Sequence, residues 1–262
     1  MKRSLIDLVF FSDKRKDLLF LLKKEPSDID TIKEALNVDS GSIQPHIRRM
    51  KDSHLIFEKD NVFRLSEIGE AIAENVQPLL DLAYVFEENA EYWKNHDLNS
   101  IPYFLLERIG EIGHFELLEP DIEHMFETPR VFLENLLNSK NVLTFVTYFH
   151  PESPYIYTKL VEKGAEITLC MTENVAKRLF LAYPGQAKEL AKKSRLFILR
   201  KPAEIPSVIV TDHFLAFKLF ENNGKLRDQI VLSFEEKALD WGKELFQYCV
   251  QGAEPLNEEN FL

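Results

Sequence analysis

Cysteine is scarce in this chain: Cys170 and Cys249 are the only two in 262 residues, and no Cys-x-x-Cys spacing occurs. The expectation is a buried, reduced pair and a reducing cytoplasm. No apolar run reaches membrane-spanning length. The run behind the basic start Met1-Lys2-Arg3 is cut by Asp7 and ended by Ser12-Asp13-Lys14-Arg15-Lys16, too short for a signal segment. A P-loop, a Gly-x-Ser-x-Gly elbow and a metal-spaced His/Cys set are also missing, so no catalytic residue, cofactor or metal is expected. Positive charge is in short supply too. The 32 Lys and Arg against 43 Asp and Glu leave a net charge of −11, which on its face argues against a nucleic-acid partner. The deficit is uneven. Residues 1–64 hold 13 basic and 11 acidic residues and net +2, so residues 65–262 net −13. An acidic body with a weakly basic head fits a DNA-binding head fused to something else.

What is present begins with ordinary globular composition, 45% hydrophobic and 29% charged, in a length that holds about two domains. The chain is organised around Ser40-Gly41-Ser42-Ile43-Gln44-Pro45-His46-Ile47-Arg48-Arg49-Met50-Lys51. Ser40 and Ser42 are candidate N-caps, and Pro45 is expected within the first turn. Ile43, Ile47 and Met50 line one face; Ser42, Gln44, Pro45, Arg48 and Arg49 project from the other, with His46 at the flank. Two guanidiniums and an amide suit phosphates and purine edges in a major groove. A plain solvated face is the alternative for this helix taken alone. Asp52, on the same outward side, is a departure without explanation.

The neighbours favour the DNA reading. A helix from a Ser12 cap to Lys24, with Leu18, Leu19, Leu21 and Leu22 inward, stops at Glu25-Pro26. A second begins near Asp28 with Ile29, Ile32 and Leu36, and Asn37-Val38-Asp39 turns into the third, which makes a helix-turn-helix. Residues 55–59 and 62–65 are β-prone and separated by Asp60-Asn61, a tight-hairpin signal. This would be a wing carrying Lys59 and Arg64 toward phosphates or a minor groove. The candidate DNA-binding set is therefore Ser42, Gln44, His46, Arg48, Arg49, Lys51, Lys59 and Arg64. With the exit Phe63-Arg64-Leu65-Ser66-x-x-Gly69, the order resembles winged-helix regulators of the ArsR-like group, over roughly residues 10–72.

Helix continues through Ile68 and Ile72, with a break expected between Asn75 and Pro78. Val76, Leu79, Ala83, Phe86, Ala90 and Trp93 then alternate by three and four. They form either a dimer seam through residues 76–93 or a helix packed on its own domain. Dimerisation would pair two recognition helices on a roughly two-fold operator in double-stranded DNA.

Past Asn99-Ser100-Ile101-Pro102, strands are expected at 142–149, 165–171, 196–200, 208–211, 214–220 and 230–234. Helices are expected at 155–163, 174–182, 186–193 and 235–251. Continuous apolar strands alternating with helices predict a largely parallel sheet covered on both faces, with antiparallel hairpins at one side marked by Asn222-Asn223-Gly224. The full expectation is an α+β N-terminal winged helix-turn-helix over 1–72, a helical connector over 73–98, and a C-terminal α/β effector domain over 99–262. The last would hold a mostly parallel mixed sheet covered by helices.

Several blocks carry a second resemblance: Asn99-x-Ile101-Pro102 before a helix expected at Leu105-Leu106-x-Arg108-Ile109-Gly110, Val210-Thr211-Asp212 on a late strand, and the ending Ala238-x-x-Trp241-Gly242-x-Glu244-Leu245-Phe246. They resemble the archaeal methanogenesis-regulator type of transcription factor over essentially the whole chain. The resemblance implies an ArsR-like winged helix joined to an effector module, and supplies no ligand. The module is also distantly similar to the phospholipase D-type fold, whose chemistry needs a His-x-Lys pair. The strand 205–212 has none before it, which argues against an enzyme of that class.

Ligands of open α/β sheets bind beyond the carboxyl ends of the strands. There the sequence offers Tyr148, His150, Tyr155, Thr172, Arg200, Asp212 and His213 as candidate ligand-binding residues. Aromatic walls with a few polar groups suit a small-molecule effector, and the cations would favour an anionic one. The leading expectation is a dimeric, ligand-responsive DNA-binding regulator in the cytoplasm, with no membrane partner. The alternatives are a non-catalytic interaction module and, behind it, a phospholipase D-type enzyme.

Overall fold

Residues 4–119 and 127–256 are described by the computed structural model, so the Met1-Lys2-Arg3 start lies outside the described residues. The chain divides into two units, Met1–Leu80 and Asp81–Leu262.

Capping residues set the helix starts of the first unit. Helix α1 (Leu5–Phe10) begins where Ser4 Oγ accepts the Ile6 N–H at 3.1 Å; it precedes the first helix expected from sequence. Helix α2 (Asp13–Lys24) buries Leu18, Leu19, Leu22 and also Arg15. The Arg15 guanidinium donates from Nε to the Leu8 carbonyl (2.6 Å) and from Nη2 to the Asp7 carbonyl (3.0 Å). It thereby satisfies acceptors at the end of α1 that a helix leaves open. After the short strand β1 (Ser27–Asp28), Asp28 caps α3 (Ile29–Ala35) by accepting the Thr31 N–H at 2.8 Å. That bond holds the Asp28 carboxyl below the usual carboxylate range.

Helix α4 (Ser40–Asp52) is capped by Asp39, whose Oδ1 accepts the Ser42 N–H at 2.9 Å. The caps expected at Ser40 or Ser42 are thus displaced, because the carboxylate reaches the third N–H first. Ser42 Oγ instead donates back to the Asp39 carbonyl at 3.0 Å. Pro45 consequently lies past the first turn, inside the helix. Gly41 leaves the cap its room, since a Cβ there would stand 3.1 Å from Asp39 Oδ1. Asp39→Ala is expected to cost about 1 kcal/mol of stability, measured by chemical denaturation, because it strips one N-cap.

Strands β2 (Ile56–Lys59) and β3 (Val62–Leu65) pair antiparallel from Ile56↔Leu65 to Lys59↔Val62. Asp60 and Asn61 both take positive φ, 54° and 61°, the two-residue turn that suits strand twist. β1 adds to the far side of β3, an addition the sequence did not suggest. Leu18, Ile32, Ile43, Ile47, Met50 and Phe63 form the core beneath.

Helix α5 (Glu67–Glu88) starts in the first unit and runs through Asn75 and Pro78 without the expected break. Ala73 and Val76 are buried in the first unit's core, with Ile72 and Leu80 packed against it, which holds the helix across the proline. Asn75 Nδ2 donates to the Ala71 carbonyl at 2.8 Å rather than ending the helix. The break falls at Asn89, before α6 (Ala90–Asn95). Residues 76–93 are therefore two helices, and the expected seam is partly consumed within the chain. Val76 is in the first core; Trp93 is in the second unit's core, its Nε1 donating to the Val85 carbonyl at 2.7 Å.

The second unit continues with α7 (Tyr103–Leu106), β4 (Glu116–Leu118), α8 (Arg130–Asn138), β5 (Asn141–Val146), α9 (Ser153–Glu162), β6 (Glu166–Thr172), α10 (Glu173–Ala182) and α11 (Pro184–Lys193). Then come β7 (Arg195–Leu199), β8 (Ser207–Thr211), β9 (Leu215–Lys218), β10 (Ile230–Ser233), α12 (Glu236–Cys249) and β11 (Glu254–Pro255). One mixed sheet runs in the order β11-β7-β6-β5-β8-β9-β10-β4. Among the described residues only β5–β6 and β6–β7 are parallel; the other five pairings are antiparallel. This overturns the expected mostly parallel sheet. Continuous apolar strands signal burial on both faces, not direction. One face packs on α12 through Phe145, Val208 and Phe217; the other packs on α8 to α11 through Val142, Leu169 and Ala216. Antiparallel β9 and β10 are covered on both sides as fully as the parallel strands. Cys170 and Cys249 are free and buried, and burial pushes both thiols up to about 12.

The sequence blocks around Arg108 and Trp241 meet in this unit. Trp241 is fully buried, and its Nε1 donates to the Leu105 carbonyl at 2.9 Å. Arg108 donates to both oxygens of Glu111 and both of Glu244, at 2.9–3.0 Å, which raises its pKa. Gly242 lies where a Cβ would press to 2.6 Å from Leu215 Cδ1, so its lack of a side chain lets α12 sit close to the sheet at that point.

Candidate functional site

Two places gather the residue types that recognise ligands, one in each unit. In the first unit, α4 turns Ile43, Ile47 and Met50 into the core and leaves Gln44, Pro45, Arg48 and Arg49 exposed, with Ser42 and His46 partly covered. Lys23, Lys33 and Lys51 each pair with a carboxylate, on Glu74, Asp30 and Glu58. Arg48 and Arg49 have no ion-pair partner among the described residues. Lys59 and Arg64 are exposed on β2 and β3, where the hairpin projects them from the same unit.

Two of the candidate residues behave differently from the rest. Lys51 Nζ lies 2.7 Å from Glu58 Oε2 and 5.9 Å from the centre of the Phe63 ring, so its charge is spent joining α4 to the hairpin. His46 sinks between α4 and the preceding helices, with Nδ1 buried and unpartnered. Burial first, then the charges of Arg15, Arg49 and Lys14, lower its pKa, so the neutral ring is favoured.

In the second unit the candidate ligand residues separate. β8 runs antiparallel to β5, with Val142 opposite Thr211 and Val146 opposite Ser207. Asp212 and His213 therefore sit at the start of β5, the opposite edge from Tyr148 and His150. The expected gathering of all these strand ends on one side does not occur, because β8 runs against β5. Asp212 Oδ1 accepts the Lys140 and Asn141 N–H groups at 2.9 and 3.2 Å, and His213 Nε2 lies 3.2 Å from the Asn135 carbonyl. Burial opposes ionisation of Asp212, and those backbone bonds outweigh it, holding its carboxyl low. Thr172 precedes α10, and Arg200 lies 3.5 Å from Glu173 and 3.3 Å from Glu254, both at the ends of β6 and β7. Tyr155 is 57% exposed and packs edge-on to Tyr183.

Tyr148 and His150 alone of that set line a cavity of about 80 Å³ between the sheet, α8 and α9. Its apolar body is made by Phe132, Leu136, Val146, Ile156, Ile209 and Ile230. At one end lies Lys218, only 6% exposed, whose Nζ pairs with Asp228 and donates to Tyr148 Oη at 2.6 Å. Neither Lys218 nor Asp228 was singled out from sequence. The usable signal was a lone lysine in the apolar run Phe214-Leu215-Ala216-Phe217-Lys218-Leu219-Phe220. Burial lowers the pKa of His150, and Lys218 adds to that effect, while Asp228 and Glu152 oppose it. The His/Cys/Asp/Glu residues described form no cluster suited to a metal ion, and no helix described is long and apolar enough to cross a membrane.

Comparison with known proteins gives these two units a common context. The N-terminal-domain model of methanogenesis regulatory protein FilR1 matches residues 4–83, and the middle-domain model of that protein matches residues 125–252. The methanogenesis regulatory protein FilR1 of Methanothrix harundinacea (strain 6Ac) is 26% identical over 259 residues, 95% of this chain and 58% of that protein. The chain thus spans less than two thirds of the length of this curated relative. Among solved structures, TrmBL2, an archaeal chromatin protein described as showing a novel mode of DNA binding, aligns over 96% of this chain and 97% of its own. The identity is 15% and the TM-score 0.44. The dimethyltransferase RosA from Streptomyces davawensis aligns over 75% of this chain and 63% of its own, at 14% identity and a TM-score of 0.25. At such scores neither likeness carries an argument. The two FilR1 models match in the order the sequence blocks suggested, and along nearly its whole length this chain is similar to the archaeal methanogenesis-regulator type.

Proposed function

We propose that this protein is a DNA-binding transcriptional regulator whose first unit reads double-stranded DNA and whose second senses a small molecule. The observation that carries the DNA reading is the outward face of α4, where Gln44, Arg48 and Arg49 are exposed and both guanidiniums lack a carboxylate partner among the described residues. A helix whose inner face is fixed by three buried apolar residues presents such groups in a constant geometry, which groove recognition requires. The hairpin cations Lys59 and Arg64 would add phosphate contacts. The net −11 of the chain does not oppose this, because a phosphate backbone senses the nearby charge within about 8–10 Å at physiological salt.

Dimerisation belongs to the same proposal. Of the expected seam through 76–93, Leu79 remains exposed at 54%, and α1 adds exposed Leu5, Ile6 and Phe10. Analytical ultracentrifugation of the full chain would give the state directly, and a monomer at working concentration would remove the paired-helix picture.

The deciding experiment is DNA affinity against salt. Neutralised phosphates release counterions, so log K should fall linearly with log salt, with a slope of about −0.9 per phosphate contact. Absent or salt-insensitive binding would leave a protein-interaction role for the winged unit.

A further inference from the structure

The second unit's cavity has a chemistry specific enough to name what it takes. We infer that the cavity between the sheet, α8 and α9 is the effector site, and that it binds a small, uncharged, largely apolar molecule through one hydrogen-bond-accepting oxygen held by Lys218. This rests on the sensing role proposed above and gives it a place and a ligand class.

Size sets the first limit. A cavity of about 80 Å³ holds several waters, since one needs roughly 10–15 Å³, yet it is smaller than the roughly 150 Å³ engineered cavity that accepts benzene. The enclosed part of a ligand is therefore a short branched or linear group. Val146, Ile209 and Ile230 on the sheet and Phe132 and Ile156 on the helices offer it only carbon.

The polar end sets the second limit. Lys218 is buried on the sheet with Ser207 as its cross-strand neighbour and Ala216 and Ile230 beside it, where an aliphatic side chain would pack without any desolvation cost. An ammonium has three donors. Asp228 and Tyr148 Oη take two. The third is available to an acceptor in the cavity. Charge on that acceptor would gain nothing. Lys218 is already neutralised by Asp228, and the Glu152 carboxylate, fixed by the Thr128 N–H and hydroxyl at 2.9 and 2.6 Å, adds a further negative charge close to His150. A carboxylate would meet two others, and an ammonium would meet Lys218. A carbonyl or hydroxyl oxygen meets neither obstacle. Apolar enclosure with a few convergent polar groups is the usual make-up of a small-molecule site. The anionic ligand expected from Arg200 loses its support, because that guanidinium lies against Glu173 and Glu254 and does not line the cavity.

Isosteric probes test the claim on the full chain: isobutyramide, isobutyrate and isobutylamine share one branched carbon body and differ in charge. NMR of methyl-labelled wild-type protein should show isobutyramide shifting Ile209, Ile230 and Ile156. Its affinity should exceed that of either charged probe by about tenfold or more, the least that burying an unpaired charge would cost. Lys218→Met should weaken isobutyramide about tenfold, as loss of a charge-assisted hydrogen bond would. Should that variant fold poorly, Ala216→Leu, which fills the cavity from the sheet side, should abolish the shifts. Shifts elsewhere, tighter binding of a charged probe, or no binding by any of the three at tens of millimolar would overturn the inference. DNA affinity of the wild type, measured with and without isobutyramide, separates this from the sensing role. Methyl shifts at the cavity with unchanged DNA affinity would keep the site and remove the sensor.

Discussion

Arg48→Ala and Arg49→Ala are each expected to cut operator affinity by roughly 10- to 100-fold, corresponding to about 1–3 kcal/mol for a base-reading arginine. The two variants should also part ways. A guanidinium on a phosphate weakens every sequence alike and lowers the salt slope by about 1, whereas one on a guanine edge relaxes preference at a single base pair. Both residues are exposed on α4, one step apart and therefore turned by about 100° from each other, so one geometry is not expected to serve both. Neither substitution should change folding, because the helix is fixed by Ile43, Ile47 and Met50 on the opposite face. Electrophoretic or fluorescence titrations at several salt concentrations, on specific and random duplexes, read all of this. If affinity survived in the double variant at unchanged slope, α4 would not be the reading helix.

Trp241→Ala is expected to be the most damaging single change in the second unit. The ring is fully buried beside Phe217 and is the largest such side chain in the chain as described. Removing it opens a cavity worth about 3–5 kcal/mol, against a typical total of about 5–15 kcal/mol for a domain. It also leaves the buried Leu105 carbonyl without its donor. Trp241→Phe isolates that second part: most of the packing stays, the N–H goes, and about 1–3 kcal/mol should be lost. Thermal and urea unfolding should show the second unit melting earlier in both variants, in that order of severity. A phenylalanine variant as stable as wild type would mean the Trp241 to Leu105 bond contributes nothing net.

These two residues mark what was legible in the sequence. Ile43, Ile47 and Met50 gave the helix face by spacing alone, and Asp60-Asn61 gave the hairpin because two consecutive positive φ values favour such residues. Six of the eight strands described in the second unit, β5 to β10, were likewise readable to within a few residues, since apolar runs and their breaks are local signals, whereas the short edge strands β4 and β11 were not. Strand direction was not. Ile230 to Ser233 is buried along its whole length whether its neighbour runs with it or against it, and nothing local encodes the choice. From that one ambiguity came the misplacement of Asp212 and His213. The region from 111 to 138 was not read as structure, so β4 and α8, which walls the cavity, were missed. Lys218 was visible as an oddity in an apolar run, but its partner Asp228 follows the Asn222-Asn223-Gly224 turn and is joined to it only by folding. Asp39 shows the finer limit: Ser40 and Ser42 were the expected caps, and the cap falls on the carboxylate just before them, in the residue assigned to the turn.

The tie from Lys51 to Glu58 bears on how the first unit would meet a duplex. Exposed on both sides, the pair adds under about 1 kcal/mol to stability. Its consequence is one of gauge. It links the last turn of α4 to the first strand of the hairpin, as the Phe63 core contact does from beneath, so helix and hairpin form a single jaw of fixed opening. On the proposed reading such a jaw would measure the distance between its groove contact and its flanking contact, and a site whose two contacted steps are spaced one base pair too far apart would be rejected by length, with every base correct.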